Sequence, residues 1–100
     1  MSYKLLEYEG YTFRVFNNVY EPAEDTFLLA DNLDSRSDDV VLDMGTGCGI
    51  LAVLIASNAR RVVAVDVNPH AVRCARVNGG INEVSKKINV IQGDLFEPIK

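Results

Sequence analysis

Hydrophobic and polar positions along the chain follow two rhythms. Near the start, Tyr11, Phe13 and Val15 fall on one face of an alternating run, and Thr12 and Arg14 on the other. A second run, Lys4-Leu5-Leu6-Glu7-Tyr8, precedes it, and Glu9-Gly10 separates the two. The pattern predicts an N-terminal β-hairpin within residues 1–19, closed by Asn17-Asn18. Further on the rhythm changes. Val40-Val41-Leu42 and Val62-Val63-Ala64-Val65 are unbroken apolar runs, each ending in an acid, Asp43 and Asp66. Such runs suit strands buried on both faces, as in a parallel sheet. Ile88-Asn89-Val90-Ile91-Gln92 reads as a third strand, with Gly93-Asp94 after it.

Helical patterns separate these strands. Val19 to Thr26 is a helix entry: Pro22 suits the first turn, and Glu24 and Asp25 suit the positive end of the dipole. Phe27, Leu28 and Leu33 then form an apolar stripe, and a polar loop runs from Asp34 to Asp39. Ile50, Leu51, Leu54 and Ile55 give the apolar face of a helix from about Gly49 to Asn58, with Arg60 and Arg61 near its negative end. Asn68 and Pro69 read as N-cap and first helical residue. Ala71, Val72, Ala75 and Val77 continue that helix, and Gly79-Gly80 are expected to stop it. The fold class is therefore α/β: a hairpin, then three parallel strands with intervening helices.

The chemistry lies where strands meet helices. Asp43-Met44-Gly45-Thr46-Gly47-Cys48-Gly49 is a D-x-G-x-G-x-G loop. Glycine lets a ligand approach the backbone, and the next helix points its first N–H groups into the same space. The dinucleotide fingerprint G-x-G-x-x-G fails, because its third glycine would fall at Ile50. No G-K-[ST] follows, which excludes a P-loop. Asp43 would repel a pyrophosphate and attract a cation, such as the ammonium of a methionine moiety. The competing reading is a glycine-rich turn that binds nothing. Asp66 is placed to accept both hydroxyls of a ribose. Asp94 could accept from an exocyclic adenine amine, while Leu95 packs on the ring. Tyr20, Pro22 and Thr26 would close over the bound cofactor.

Composition narrows the classes. One hundred residues, 48% hydrophobic and 24% charged, make one small soluble domain. Net charge of −4 gives no broad basic face for nucleic acid. No apolar run is long enough to span a membrane, and Met1-Ser2-Tyr3-Lys4 lacks a signal-peptide pattern, so a cytoplasmic location is expected. Cys48 and Cys74 have no metal-type spacing and read as free thiols, Cys48 as a small residue fitting the loop rather than a nucleophile. His70 reads as exposed or capping, and no metal site is expected.

Val19-Tyr20-Glu21-Pro22-Ala23-Glu24-Asp25-Thr26-Phe27-Leu28-Leu29, Val65-Asp66-Val67-Asn68-Pro69 and Gly93-Asp94-Leu95-Phe96 carry a resemblance. From about Tyr3 to Pro98 the chain resembles the class I S-adenosylmethionine-dependent methyltransferases. Within them it is most similar to the HemK-like release-factor glutamine methyltransferases of eukaryotes and archaea. The resemblance implies a Rossmann-like methyltransferase sheet with S-adenosylmethionine as cofactor. It implies that Asp43, Gly45, Gly47 and Thr26 hold the methionine end, Asp66 the ribose, and Asp94 and Leu95 the adenine. None of these is a catalytic residue. The family grips its acceptor amide with an Asn-Pro-Pro-Tyr segment after the fourth strand, and no N-P-P-[YF] occurs in this sequence.

The chain thus reads as the cofactor half of the fold without its C-terminal half. The Val40–Met44 strand would then be an open apolar edge, and these residues alone are expected to be marginally stable or self-associating, and catalytically silent. The implied substrate is a peptide-release factor, and a small zinc-binding activator subunit would pair with the Ile88–Gln92 edge. Other readings are an amino-group methyltransferase acting on nucleic acid or another protein side chain, and an inactive cofactor- or partner-binding fragment. Ile50 and Asp43 disfavour a nicotinamide dehydrogenase.

Overall fold

The computed structural model describes residues 2–22, 24–31 and 38–94. The hairpin pairs β1 (Tyr3–Tyr8) with β2 (Tyr11–Phe16), in register from Tyr3 opposite Phe16 to Tyr8 opposite Tyr11. Its two turn residues both have positive φ, 48° at Glu9 and 85° at Gly10. That handedness matches the twist of the strands it joins. Phe13 and Val15 point inward as their alternation requires, and Phe16 and Val19 join them in the core. Outside, the Arg14 guanidinium lies 4.8 Å from the centre of the Tyr3 ring.

A short helix, α1 (Glu24–Asp31), leads to the parallel sheet. Of its expected stripe, Phe27 packs on the core and beside the Tyr8 ring, 5.3 Å between centroids. Leu28 is exposed instead, and Leu33 lies outside the described residues. The Tyr8 hydroxyl donates to the Asp31 carboxylate and ties the helix to the hairpin.

The sheet has the order β3 (Val40–Met44), β4 (Arg61–Asp66), β5 (Ile88–Gln92), all parallel. Central β4 buries Val62, Ala64 and Val65 and so matches its apolar sequence. β3 does not. Val41 packs on the core, but Val40, Leu42 and Met44 are exposed, at 62%, 51% and 40%. Full burial of a strand needs cover on both faces, and among the described residues only one face of β3 has it.

Two helices complete the layer against the sheet: α2 (Ile50–Ala56) and α3 (Pro69–Ile81). Asn68 caps α3 as expected, its side chain accepting from the His70 amide at 3.0 Å, with Pro69 next. The expected stop at Gly79-Gly80 is wrong, because α3 runs through both. The left-handed residue that ends it is Glu83, at φ 61°. Glu83 N donates to Gly80 O at 3.2 Å and Val84 N to Gly79 O at 2.9 Å, the paired bonds of a Schellman motif. Gly79 instead faces Ile88 and Ser85, which approach to 3.7 and 3.8 Å of where its Cβ would stand.

Candidate functional site

The loop from Gly45 to Gly49 is stapled to the tip of β4. Gly45 N and Thr46 N both donate to Val65 O, at 2.7 and 3.0 Å, and Gly49 N donates to Thr46 O at 2.9 Å. Gly45, Gly47 and Gly49 have φ of 71°, 57° and 85°, the left-handed region that favours glycine. The last two do different work. A Cβ on Gly47 would meet no protein atom within 4 Å, so the backbone there is open to a ligand. A Cβ on Gly49 would lie 2.9 Å from Cα and Cβ of Ala75, so that glycine serves the packing of the loop on α3.

The acids stand at the same end of the sheet. Register places Asp43 beside Ala64, and Asp66 beside Gln92. Asp94 follows Gly93, whose amide donates to Asp66 O at 3.0 Å. The three expected tips thus share one rim. Asp43 accepts from Thr46 Oγ1 at 2.8 Å. Burial raises its pKa above the ordinary 3.8; the Thr46 bond opposes this, and the nearby Asp66 charge adds to it. Asp66 accepts Gly47 N on one oxygen at 2.9 Å and Asn68 N on the other at 3.0 Å. Asp66 therefore positions the glycine loop.

In front of the loop is an open cleft. One wall is Tyr20, Glu21, Pro22 and Thr26; the other is the loop from Gly45 to Cys48, with Ile50 and Leu51. The structure brings together Tyr20, Pro22, Thr26, Gly45 and Gly47 of the expected set. Asp43 and Asp66 lie one hydrogen bond behind that lining, on Thr46 and Gly47. Asp94 lies on the rim, and Leu95 is outside the described residues. Sequence reasoning missed Glu21, Thr46, Cys48, Ile50 and Leu51. Only Thr46 carried a signal, as a hydroxyl three residues after an acid that needs a donor.

Cys48 is buried and free, and burial pushes its thiol up to about 11, which leaves it protonated and inert at neutral pH. No cluster of three potential metal ligands occurs among the described residues. No helix among them is long and apolar enough to cross a membrane.

A strand, glycine loop and helix, with acids at successive strand tips, define a Rossmann-like methyltransferase domain. Residues 29–98 match the TRM5/TYW2 methyltransferase domain, and the chain belongs to that family. A Methanocaldococcus jannaschii relative that carries the provisional name protein N5-glutamine methyltransferase is 38% identical over 96 residues, covering 95% of this chain and 48% of its own. Among solved structures, the M. jannaschii tRNA m1G37 methyltransferase superposes with a TM-score of 0.87 at 28% identity, over 97% of this chain and 32% of that one. M. jannaschii Trm5 in complex with adenosine gives 0.78 at 27%, over 95% and 31%. The chain spans about half the length of the curated relative and about a third of each structure.

The cofactor of the family is S-adenosylmethionine, and the residues around the cleft suit its charge. A positive ligand would offset both the burial of Asp43 and its repulsion by Asp66. Gly47 leaves room for close backbone approach.

Proposed function

We propose that these residues form the S-adenosylmethionine-binding part of a methyltransferase whose acceptor is the side-chain amide of a protein glutamine, in a peptide-release factor. The arrangement of Asp43, Gly47 and Asp66 about one loop carries the cofactor side of this reading. Asp43 with Gly45, Gly47 and Thr26 would hold the methionine end, Asp66 the ribose, and Asp94 with Leu95 the adenine; Tyr20 and Pro22 would cover it. When bound, the cofactor supplies an electrophilic methyl group on a sulfonium. The chain's own residues bind and orient it, and orientation in line with the acceptor nitrogen supplies much of the rate. No N-P-P-[YF] segment stands among these residues, so every role assigned here is on the cofactor side.

The name of the 38%-identical relative supports the glutamine acceptor. The family match and the likeness to a tRNA methyltransferase favour a second reading, a tRNA base. An excess of 14 acidic over 10 basic residues weighs against an RNA-binding face on this part. In the first reading a small zinc-binding subunit would pair with the β5 edge. Arg76 already donates to Val90 O there at 3.1 Å, so strand addition would have to displace it.

Calorimetry with S-adenosylhomocysteine and with NAD tests the cofactor side. Binding of the first alone, weakened in Asp66→Ala, is the expected result; tighter binding of NAD would overturn it. Transfer of labelled methyl to a release factor, and not to tRNA transcripts, distinguishes the acceptors; labelling of tRNA alone would establish the second reading.

A further inference from the structure

We infer that Asn78 is a positioning residue for the cofactor loop, joining the back of that loop to the outer edge of the hairpin. The inference rests on the reading of the cleft as an S-adenosylmethionine site. Asn78 is fully buried on α3. Its Nδ2 donates to Cys48 O at 2.7 Å and to Arg14 O at 2.8 Å, and its Oδ1 accepts from Arg14 N at 2.7 Å. These partners fix the amide's orientation, because a flipped amide would set its oxygen against two carbonyls. A carboxylate would do the same, and a shorter side chain would leave buried backbone groups unpaired.

Cys48 lies between Gly47, open to the cleft, and Gly49, packed on Ala75. Ala75 and Asn78 are neighbours on one face of α3. The helix therefore supports the loop at two points from behind, one apolar and one polar. Through Arg14 the same amide reaches a strand far from the cleft in sequence. Ligand contacts that steady Gly47 will steady Cys48 O, and with it the Arg14 peptide.

The fold contains its own control. Asn82, the C-cap of α3 one turn after Asn78, accepts from Thr12 N at 3.1 Å and donates to Thr12 O at 2.8 Å. Four helical residues advance about 6 Å, and two strand residues about 6.8 Å, so the two amides meet alternate residues of β2. Asn78 and Asn82 thus cap the hairpin edge alike, and of their hydrogen bonds only those of Asn78 include the loop.

The test compares Asn78→Ser with Asn82→Ser in the full protein, at a temperature where both are folded. S-adenosylhomocysteine affinity is expected to fall about tenfold in the first and to stay within about twofold in the second. Equal affinities would overturn the inference. Should Asn78→Ser not fold, site-resolved hydrogen exchange on the unsubstituted protein decides. S-adenosylhomocysteine should slow exchange at the Arg14 amide and leave the Thr12 amide unchanged; equal effects on both would refute the coupling. Failure of the unsubstituted protein to bind S-adenosylhomocysteine would remove the cofactor reading instead. The inference then stands or falls on whether the Gly47 and Gly49 amides exchange faster in Asn78→Ser than in Asn82→Ser.

Discussion

The two walls of the cleft are held in different ways. The glycine-loop wall is tied at nearly every residue: Gly45 and Thr46 to Val65 O, Gly47 to Asp66, Cys48 to Asn78, and Gly49 against Ala75. The opposite wall hangs from Val19, which is buried and donates to Phe16 O at 3.0 Å. Around residues 20–22 its ties among the described residues are surface ones, while α1, which carries Thr26, is held by Phe27 packed on the core. Asn68 Nδ2 reaches Asn18 O at 3.2 Å, and Lys4 pairs with Glu21 at 2.6 Å in a well-exposed contact, worth no more than about 1 kcal/mol. Tyr20 is 94% exposed. One wall is ordered by folding, before any ligand arrives. The other is anchored at Val19 and at Phe27, and the exposed Tyr20 between them can adjust over a ligand at small cost. A preformed floor with an adaptable cover suits a cofactor that must enter whole and leave after reaction.

Substitutions can break or sharpen this contrast. The largest effect is expected for Gly49→Ala, which meets Ala75 at 2.9 Å while holding φ near 85°; a loss of about 3 kcal/mol is expected in chemical unfolding. Gly47→Ala, with open space around it, should cost only about 1 kcal/mol, yet weaken cofactor binding. Similar unfolding losses in the two would erase the distinction between the back and the front of the loop.

Asp66→Ala removes the acceptor of Gly47 N and Asn68 N and the expected ribose contact. S-adenosylhomocysteine binding should weaken by about 1.5–3 kcal/mol, the usual worth of a hydrogen bond to a charged group. Unchanged calorimetric affinity would separate Asp66 from the ligand.

Asp43→Asn should act in opposite directions on two readouts. Because burial raises its pKa, Asp43 holds its proton to higher pH in the fold than in the unfolded chain. Its contribution to stability is therefore full below the ordinary 3.8 and is lost as pH rises through the raised value. The asparagine variant, which can still accept from Thr46, should melt higher at pH 7, lose this pH dependence, and bind the cationic ligand more weakly. A lower melting temperature at pH 7 would show that the carboxylate stabilises the loop.

The smallest effect belongs to the adaptable wall. Tyr20→Ala should leave the melting temperature unchanged and weaken cofactor binding by about 1 kcal/mol, the scale of one aromatic contact. A large loss of stability would mean that this wall is also part of the fold's framework.

The hairpin, the three strands and the cap of α3 were legible because their signals are local. Glu9-Gly10 sets a turn, alternation sets a face, and Asn68-Pro69 starts a helix. The D-x-G-x-G-x-G loop located the cleft for the same reason. The Gly79-Gly80 stop misled, because the left-handed position that ends α3 is taken by Glu83, while Gly79 stays helical, with Ile88 and Ser85 at ordinary contact distance from where its Cβ would stand. The apolar run of β3 could not reveal that one of its faces would be exposed, since cover on a strand comes from elements distant in the chain.

By itself the amino-acid sequence determined the order of strands and helices, the glycine loop and the acids at the strand tips, because each follows from residue period and backbone preference within a few positions. Tertiary structure alone decided which glycine opens onto the cleft and which faces a helix. It also decided that Asp66 positions the loop, and that Asn78 binds backbone groups of Arg14 and Cys48, 64 and 30 residues away. Those outcomes depend on where packing brings one helix face against a distant backbone, and no local pattern encodes that distance.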